Sequence, residues 1–268
     1  MNEKVVVITG ASSGIGKALA MEYARKGYRL ALCARRHDRL MELKAGLEKQ
    51  SATVFTMVAD VSREDDCRKF IQLTLAEYGR IDILINNAGI SMRALFRDLH
   101  LDVMRRLMDV NFWGTVYCTQ FALPSLLQSR GSVVGVISIA GYIGLPGRTG
   151  YSASKYAVRG FLDALRTENL RTGLHVLVVA PGFTATDIRS HALLADGTPQ
   201  GSTPRDEGKM MSAGTVARKI ASAVEKRKSS LILTFMEGRL TVFLNKWFPS
   251  LVSKLAYNHM AKEPDSPF

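Results

Sequence analysis

Tyr151 and Lys155 are the two side chains of this sequence whose types and spacing best suit acid–base chemistry. They lie four residues apart, so a helix would place both on one face. A lysine ammonium close to a phenol favours the ionised form and lowers the phenol pKa, which would let Tyr151 donate and accept a proton nearer neutral pH. Taken alone, the pair would be interpreted more simply as an ordinary contact on a helix surface.

Ser138 and Asn111 occupy positions that suit a catalytic role but do not prove one. Ser138 ends an apolar stretch at residues 132–138, and open α/β sheets place their active sites at the carboxyl ends of strands. A lone serine there is usually only a strand terminus. Asn111 lies inside a long helical pattern at residues 99–128, where asparagine is unfavourable because its amide competes for backbone partners. It is either a satisfied core amide or the mark of a helix distortion that presents a carbonyl to a water.

A glycine-rich turn lies between a β-branched run and a helical stretch near the start of the chain. The turn reads Thr9-Gly10-Ala11-Ser12-Ser13-Gly14-Ile15-Gly16. Glycines allow a tight turn and a close ligand, and the free N–H groups at the helix start favour an anion such as a dinucleotide pyrophosphate. The spacing G-x-x-x-G-x-G differs from the common fingerprint, so a turn without a ligand remains the alternative.

Arg35 and Arg36 follow the second predicted strand, residues 29–34. A dinucleotide fold places the adenosine ribose near this strand end. Guanidinium groups match phosphate oxygens and stay charged, so the pair favours a 2′-phosphate and hence NADP over NAD. The alternative is a solvated loop.

Short motifs of small and polar residues follow the next predicted strands. They are Asp60-Val61 after residues 53–59, Asn86-Asn87-Ala88-Gly89 after residues 81–85, and Pro181-Gly182-Phe183-Thr184 after residues 176–180. Such residues allow close backbone contact with a flat ligand, although asparagine and glycine are also common in ordinary turns. The segment 185–211 is rich in Gly, Pro, Ser and Asp, and a loop of this length is usually functional. We expect a mobile flap over the substrate.

Apolar strands alternate with helical stretches from residue 5 to about residue 235, where residues 231–234 form the last predicted strand. This alternation predicts parallel βαβ units. The length of 268 residues fits one large domain.

Composition narrows the class of protein. The formal charge of +12 fits nucleic acid, an anionic membrane or a phosphorylated small molecule, but a merely basic surface is the simpler explanation. No basic run carries the interleaved aromatics of a single-strand binder, so we expect no nucleic-acid partner. Neither a signal peptide nor a long apolar span is visible. Cys33, Cys67 and Cys118 show no zinc or disulfide spacing, which predicts reduced thiols, a cytoplasmic protein and no metal.

The C-terminal stretch 239–257 combines leucines and aromatics near helical spacing with Arg239, Lys246 and Lys254. Pro249 should kink or split the helix. Three interpretations compete: packing against the core or a sister subunit, a wall of the substrate pocket, and an interfacial membrane anchor. We assign residues 1–238 to the catalytic domain and 239–268 to an amphipathic extension.

Together these motifs resemble the short-chain dehydrogenase/reductase family over roughly residues 5–235. Singly each motif is weak, but they fall in the order of the family. The motifs that carry the resemblance are the turn at residues 9–16, Asp60-Val61, Asn86-Asn87-Ala88-Gly89, Asn111, Ser138, Tyr151 with Lys155, and Pro181-Gly182.

The resemblance implies a Rossmann-type α/β fold, a doubly wound parallel sheet of about seven strands with helices on both faces. It implies that Tyr151 is the proton donor or base, that Ser138 hydrogen-bonds the substrate carbonyl and that Lys155 lowers the phenol pKa and holds the nicotinamide ribose. Asn111 would position a relay water. The cofactor site that we expect comprises Gly10, Ser12, Ser13, Gly14, Ile15, Gly16, Arg35, Arg36, Asp60, Val61, Asn87, Ala88, Gly89, Tyr151, Lys155, Pro181, Gly182 and Thr184.

The sequence therefore predicts a homodimeric or homotetrameric NADP(H)-dependent oxidoreductase that acts on a hydrophobic ketone or secondary alcohol. Related members with similar basic and apolar tails act on lipids or steroids. The alternatives are a 3-oxoacyl-thioester reductase and a catalytically silent NADP sensor or scaffold. Peripheral membrane contact is a further hypothesis.

Overall fold

The computed structural model describes residues 3–203, 208, 210–263 and 266–268. Part of the predicted flap, at residues 204–207 and 209, lies outside the described residues, as do two residues of the extension, 264 and 265.

Within the described residues, seven strands form one parallel sheet in the order β3-β2-β1-β4-β5-β6-β9. Strands buried on both faces are near-continuous apolar runs, and β1 fits this pattern because all five of its residues are buried. The predicted Rossmann-type fold is confirmed. The strands are β1 Val5–Thr9, β2 Arg29–Ala34, β3 Val54–Val58, β4 Ile83–Asn86, β5 Ser132–Val136, β6 His175–Ala180 and β9 Ser230–Ile232.

Helices cover both faces of the sheet, because successive side chains of a strand point to opposite sides. In β1, Val6 and Ile8 pack into one apolar core with α1, α2 and α7, whereas Val7 packs into the other with α3, α5 and α6. The helices are α1 Gly14–Arg25, α2 His37–Glu48, α3 Glu64–Tyr78, α4 Leu101–Leu107, α5 Gly114–Gln128, α6 Thr149–Glu168 and α7 Ala213–Glu225.

The helical stretch predicted at 99–128 is one rod interrupted by a π-helical segment, Met108–Trp113. Asn111 lies in this segment and is fully buried. The helix is distorted there, and the side-chain amide is hydrogen-bonded as in a satisfied core amide. Presentation of the Asn111 carbonyl to a water stays a prediction.

Two short strands, β7 Thr184–Ala185 and β8 Met211–Ser212, pair in parallel at the ends of the predicted flap. Within the flap, Leu193 forms bridges with Met92 and with Pro199. The flap is therefore attached to the loop that follows β4.

The C-terminal extension forms a π-helical turn, Phe235–Leu240, followed by α8 Thr241–Trp247 and α9 Pro249–Ala261. The predicted split at Pro249 is confirmed, since α8 ends before Phe248 and Pro249 is the first residue of α9. Val242 and Val252 are buried in the main core. Among the described residues, no helix is both long and apolar enough to span a membrane.

Candidate active site

A cavity of about 370 Å³ lies at the carboxyl ends of the strands, where open α/β sheets bind their ligands. Its lining brings together most of the predicted site residues. Those that line it are Gly10, Ser12, Ser13, Gly14, Ile15, Arg35, Arg36, Asp60, Val61, Asn87, Ala88, Gly89, Ser138, Tyr151, Lys155, Pro181, Gly182 and Thr184. Gly16 and Asn111 do not line the cavity. Each contacts segments that do line it.

The glycine turn is held by close backbone packing. Gly10 and Gly14 have φ values of +65° and +52°, a region that side chains disfavour. A Cβ at Gly16 would lie 2.2 Å from the Gly10 carbonyl oxygen. Asn87 fixes the turn from the next strand, because its Nδ2 donates to the carbonyls of Thr9 and Gly10 at 3.0 and 3.2 Å. The N-terminus of α1 thus faces the cavity, as an anion site requires.

The structure separates the two predicted arginines. Arg36 donates to the hydroxyls of Ser13 at 2.6 Å and Ser12 at 3.3 Å, so its guanidinium lies at the glycine turn. Burial and the neighbouring Arg39 charge lower the pKa of Arg36. Arg35 lines the same cavity but is exposed. Arg36 is therefore better placed than Arg35 to hold a phosphate.

Tyr151 lies in the first turn of α6, and Ser138 lies two residues beyond β5. Ser138 begins a short 3₁₀ turn, where its hydroxyl accepts from the Ala140 N–H at 3.2 Å. Burial raises the pKa of Tyr151, while the hydrogen bond with Ser138 and the positive charge of Arg148 lower that pKa. Burial is the largest of these influences on the phenol pKa, and Lys155 is not among them.

Lys155 is 4% exposed. Its Nζ donates to the Val136 carbonyl at 3.0 Å and lies 5.8 Å from the centre of the Tyr151 ring. Burial lowers the pKa of Lys155 to about 8, because charge is disfavoured in a poorly solvated site.

Asn111 supports the site without lining it. Its side chain exchanges hydrogen bonds with the backbone of Ile90 and donates to the Ser154 hydroxyl at 2.8 Å. The Asn111 carbonyl accepts from the Thr115 hydroxyl at 2.9 Å. A Cβ at Gly89 would lie 3.1 Å from Asn111 Oδ1 and 3.2 Å from Lys155 Nζ. Asn111 thus connects the loop after β4 to α6, the helix that carries Tyr151 and Lys155.

The cavity is also lined by residues that the sequence did not single out. They are Leu145, Arg148, Met260 and Glu263. The nearly buried Glu263 carboxylate lies 3.4 Å from Arg148 Nη2, although 115 residues separate the two in sequence. No local signal links positions so far apart, because only the folded chain brings them together.

The end of the extension forms part of the cavity wall. Arg93 Nη2 lies 3.6 Å from the Glu263 carboxylate, the His259 ring is 6.1 Å from that of Phe183, and Met260 is buried. These contacts fit two of the three interpretations, packing on the core and a wall of the pocket. Membrane contact stays a prediction.

The described part of the chain holds no group of three or more His, Cys, Asp or Glu side chains that could bind a metal ion. The three cysteines are buried and free. Burial raises the pKa of Cys33.

Comparisons with known proteins identify the family of the chain. A family model described as short chain dehydrogenase matches residues 4–195. The mouse (Mus musculus) protein named dehydrogenase/reductase SDR family member 7B is 34% identical over 271 aligned residues, which cover 99% of this chain and 84% of that protein. An Arabidopsis thaliana protein named 11-beta-hydroxysteroid dehydrogenase-like 3 is 46% identical over 188 residues, which cover 69% of this chain and 60% of the plant protein.

Solved structures share the same architecture. An alcohol dehydrogenase from the archaeon Thermococcus sibiricus, solved with 5-hydroxy-NADP, superimposes with a TM-score of 0.78 and 28% identity, covering 88% of this chain and 98% of that one. A short-chain dehydrogenase/reductase from Burkholderia phymatum, solved with NAD, has the same fold with a TM-score of 0.78 and 24% identity over 86% of this chain and 90% of that one. The chain therefore belongs to the short-chain dehydrogenase/reductase family, whose members are oxidoreductases.

Proposed function

We propose that this protein is an NADP(H)-dependent oxidoreductase that moves a hydride between the nicotinamide and an apolar ketone or secondary alcohol. The observation that carries the proposal is one continuous cavity. It joins the glycine turn and Arg36 to Ser138, Tyr151 and Lys155. A nucleotide site and an acid–base pair in one cavity suit hydride transfer coupled to proton transfer.

The residues present fit a dinucleotide, because Ala88 leaves no room for a side chain at Gly10, the Gly10 carbonyl leaves none at Gly16, and α1 points its N–H groups at the cavity. When bound, the cofactor supplies the hydride chemistry. The chain supplies the proton. The raised pKa of Tyr151 keeps the phenol protonated at neutral pH, so that it can donate to a substrate carbonyl oxygen.

The other two polar groups support that proton transfer. Ser138, hydrogen-bonded to the Tyr151 phenol, can also donate to the carbonyl oxygen as negative charge develops there. With its pKa near 8, Lys155 is mostly protonated at pH 7 and can donate to the ribose hydroxyls. Loss of the Lys155 proton above pH 8 would weaken that hold, so we expect cofactor affinity to fall as the pH rises through 8.

Two observations support NADP rather than NAD. Arg36 lies on the Ser12 and Ser13 hydroxyls at the end of β2, where a 2′-phosphate would be held. The related alcohol dehydrogenase of Thermococcus sibiricus was solved with an NADP derivative.

An apolar substrate is supported by apolar side chains in the cavity lining. Leu145, Phe183, Ile188 and Met260 contribute apolar surface to the cavity. The names of the Arabidopsis relatives refer to hydroxysteroid dehydrogenases, which fits a bulky apolar ligand.

The remaining predictions concern the oligomeric state, membrane contact and cellular location of the protein. A homodimer or homotetramer would cover exposed aromatics such as Trp113 and Tyr156. Peripheral membrane contact would use exposed residues of the extension such as Phe243 and Trp247. A cytoplasmic location is proposed on the sequence alone.

The test is turnover with a graded panel of ketones, from small acyclic compounds through steroids to long-chain 3-oxoacyl thioesters. Each substrate is offered with NADPH and with NADH, beside Tyr151→Phe. We expect faster turnover with NADPH, a preference for bulky apolar ketones and loss of turnover in the variant. Preference for the thioesters would favour the rival reductase. Tight NADPH binding without turnover across the panel would favour the silent sensor.

The cofactor assignment has its own matched pair of variants. Arg36→Ala should reduce the ratio of NADPH to NADH affinity, while Arg35→Ala, which changes the exposed neighbour, should reduce it less. An unchanged ratio in both variants would overturn the assignment.

A further inference from the structure

Asp187, in the segment after β7, forms ion pairs with two arginines at the nucleotide end of the cavity. Its Oδ2 lies 2.9 Å from Arg39 Nη1 and 4.0 Å from Arg36 Nη1. Arg39 also donates a hydrogen bond to this carboxylate. The contact joins the flap to the start of α2, across 148 residues of sequence.

The contact lies directly at the glycine turn. Arg36 bonds the Ser12 and Ser13 hydroxyls with one nitrogen while another faces Asp187. The methyl group of Thr186, the residue before Asp187, lies 3.0 Å from where a Cβ on Gly14 would be. A carboxylate of the flap is thus held beside Arg36, the residue that the proposed function assigns to a phosphate, and is paired with the neighbouring Arg39.

A carboxylate and a phosphate compete for the same guanidinium groups, because both accept from the forked N–H donors. All three side chains here are about half exposed, at 48% for Asp187, 38% for Arg36 and 51% for Arg39. Ion pairs this exposed are weak. A phosphate carries more charge than one carboxylate and offers three acceptor oxygens, so exchange of one for the other costs little.

We propose that Asp187 is a cofactor-specificity residue that occupies Arg36 and Arg39 until the 2′-phosphate of NADP(H) displaces it and releases the flap segment 186–191. The proposal rests on the proposed preference for NADP. Asp187 lowers the affinity for the 2′-phosphate, since its carboxylate must first leave. A nucleotide with a free 2′-hydroxyl brings no competing anion and leaves the contact in place.

The experiment isolates the 2′-phosphate with two adenosine nucleotides. Adenosine 2′,5′-bisphosphate and adenosine 5′-monophosphate differ only in that group, and calorimetry gives the affinity of each without turnover. In Asp187→Asn we expect the bisphosphate to bind about two- to five-fold tighter, the change that corresponds to an exposed ion pair, with the monophosphate unchanged. In the native protein the bisphosphate, but not the monophosphate, should speed amide exchange in segment 186–191.

Asp38→Asn is the matched control, because Asp38 is a fully exposed carboxylate next to Arg39 in sequence whose partner is His37. It removes the same charge and should leave both affinities unchanged. Equal gains for both nucleotides in Asp187→Asn, equal gains in both variants, or a weaker bisphosphate affinity would each overturn the proposal. If the native protein binds both nucleotides equally well, the NADP preference itself fails, and that outcome is distinct because it needs no variant.

Discussion

The two ends of the cavity are built in different ways. At the nucleotide end, short loops that directly follow β1, β2, β3 and β4 meet at one sheet edge, and backbone packing holds them. At the substrate end, the loop before α6 and the end of α9 come from distant parts of the chain. A few side-chain contacts, such as Arg148 with Glu263, join them.

Because the two ends are built differently, we expect substitutions to affect them differently. A turn in which an added Cβ would overlap backbone atoms accepts almost no substitution. The kind of ligand that it binds should therefore vary little. A wall held by side chains can change residue by residue while the sheet stays intact. We therefore expect changes at the nucleotide end to be severe and general, and changes at the substrate end to be mild and selective among substrates.

The largest expected effect is at Tyr151, where the two ends meet. Tyr151→Phe removes the phenolic proton and keeps the ring, so kcat should fall about 10²- to 10⁴-fold, the usual contribution of a positioned acid. The Kd for NADPH should stay nearly unchanged, because the ring still fills its place. Steady-state kinetics and a fluorescence titration of NADPH test the two halves of the prediction. Substantial residual turnover would refute the assigned role.

Gly16→Ala should disrupt the nucleotide end. Its Cβ would lie 2.2 Å from the Gly10 carbonyl oxygen and 2.6 Å from Asn87 Nδ2, so the turn must move. We expect a loss of about 1–3 kcal/mol in the free energy of unfolding, as for other overpacked sites, together with loss of NADPH binding. Chemical denaturation and calorimetry measure the two effects.

Gly46→Ala is the matched control for that substitution. Gly46 is an exposed residue of α2 with open space around it, and alanine in a helix is favoured over glycine by about 1 kcal/mol. The control should therefore be slightly stabilised and bind NADPH normally. If both variants behaved alike, close packing at the turn would not be the cause.

The same contrast explains what the sequence could predict. Strands that are buried on both faces appear in the sequence as apolar runs. The positions of the strands, and of the loops that follow them, can therefore be predicted from the local pattern of apolar residues. The glycine turn, Asn87 and Gly89 are near in sequence to the strands that position them. The distortion at Asn111 was also foreseeable, because asparagine conflicts with a regular helix.

What the sequence did not predict depends on contacts between distant segments. Glu263 and Asp187 reach their arginines only in the folded chain. The pKa of Tyr151 was expected to fall because Lys155 lies one helical turn away, but burial sets its direction instead. Burial is a property of the whole fold, and spacing along one helix does not report it.

A smaller effect is expected at Lys155, because burial of its ammonium group reduces the free energy of unfolding. Burial lowers the pKa of Lys155 from its usual 10.5 to about 8 in the folded protein. Between these two values the unfolded chain binds more protons, so stability rises with pH, and the full cost is present below pH 8. Lys155→Met should therefore raise the free energy of unfolding at pH 7 by about 1–2 kcal/mol, after the loss of one hydrogen bond.

Urea denaturation at several pH values tests this prediction. The gain in Lys155→Met should shrink from pH 8 towards pH 10.5 as the unfolded wild-type chain loses the same proton. Lys219→Met, which changes an exposed lysine of α7, is the control and should show no such trend. A gain that stayed constant with pH would point to packing by the methionine rather than to removal of a buried charge.

The smallest expected effect lies at the substrate end. Glu263→Gln keeps the size of the side chain but removes the charge that faces Arg148 and Arg93. Loss of about 1 kcal/mol in that contact would loosen the end of α9 and raise KM for a bulky ketone about five-fold, while the Kd for NADPH stays the same. Amide exchange should rise across residues 249–261. Glu237→Gln, which changes an exposed carboxylate of the same extension, should alter neither. A fall in NADPH affinity in Glu263→Gln would show that the two ends are coupled, and would break the division between them.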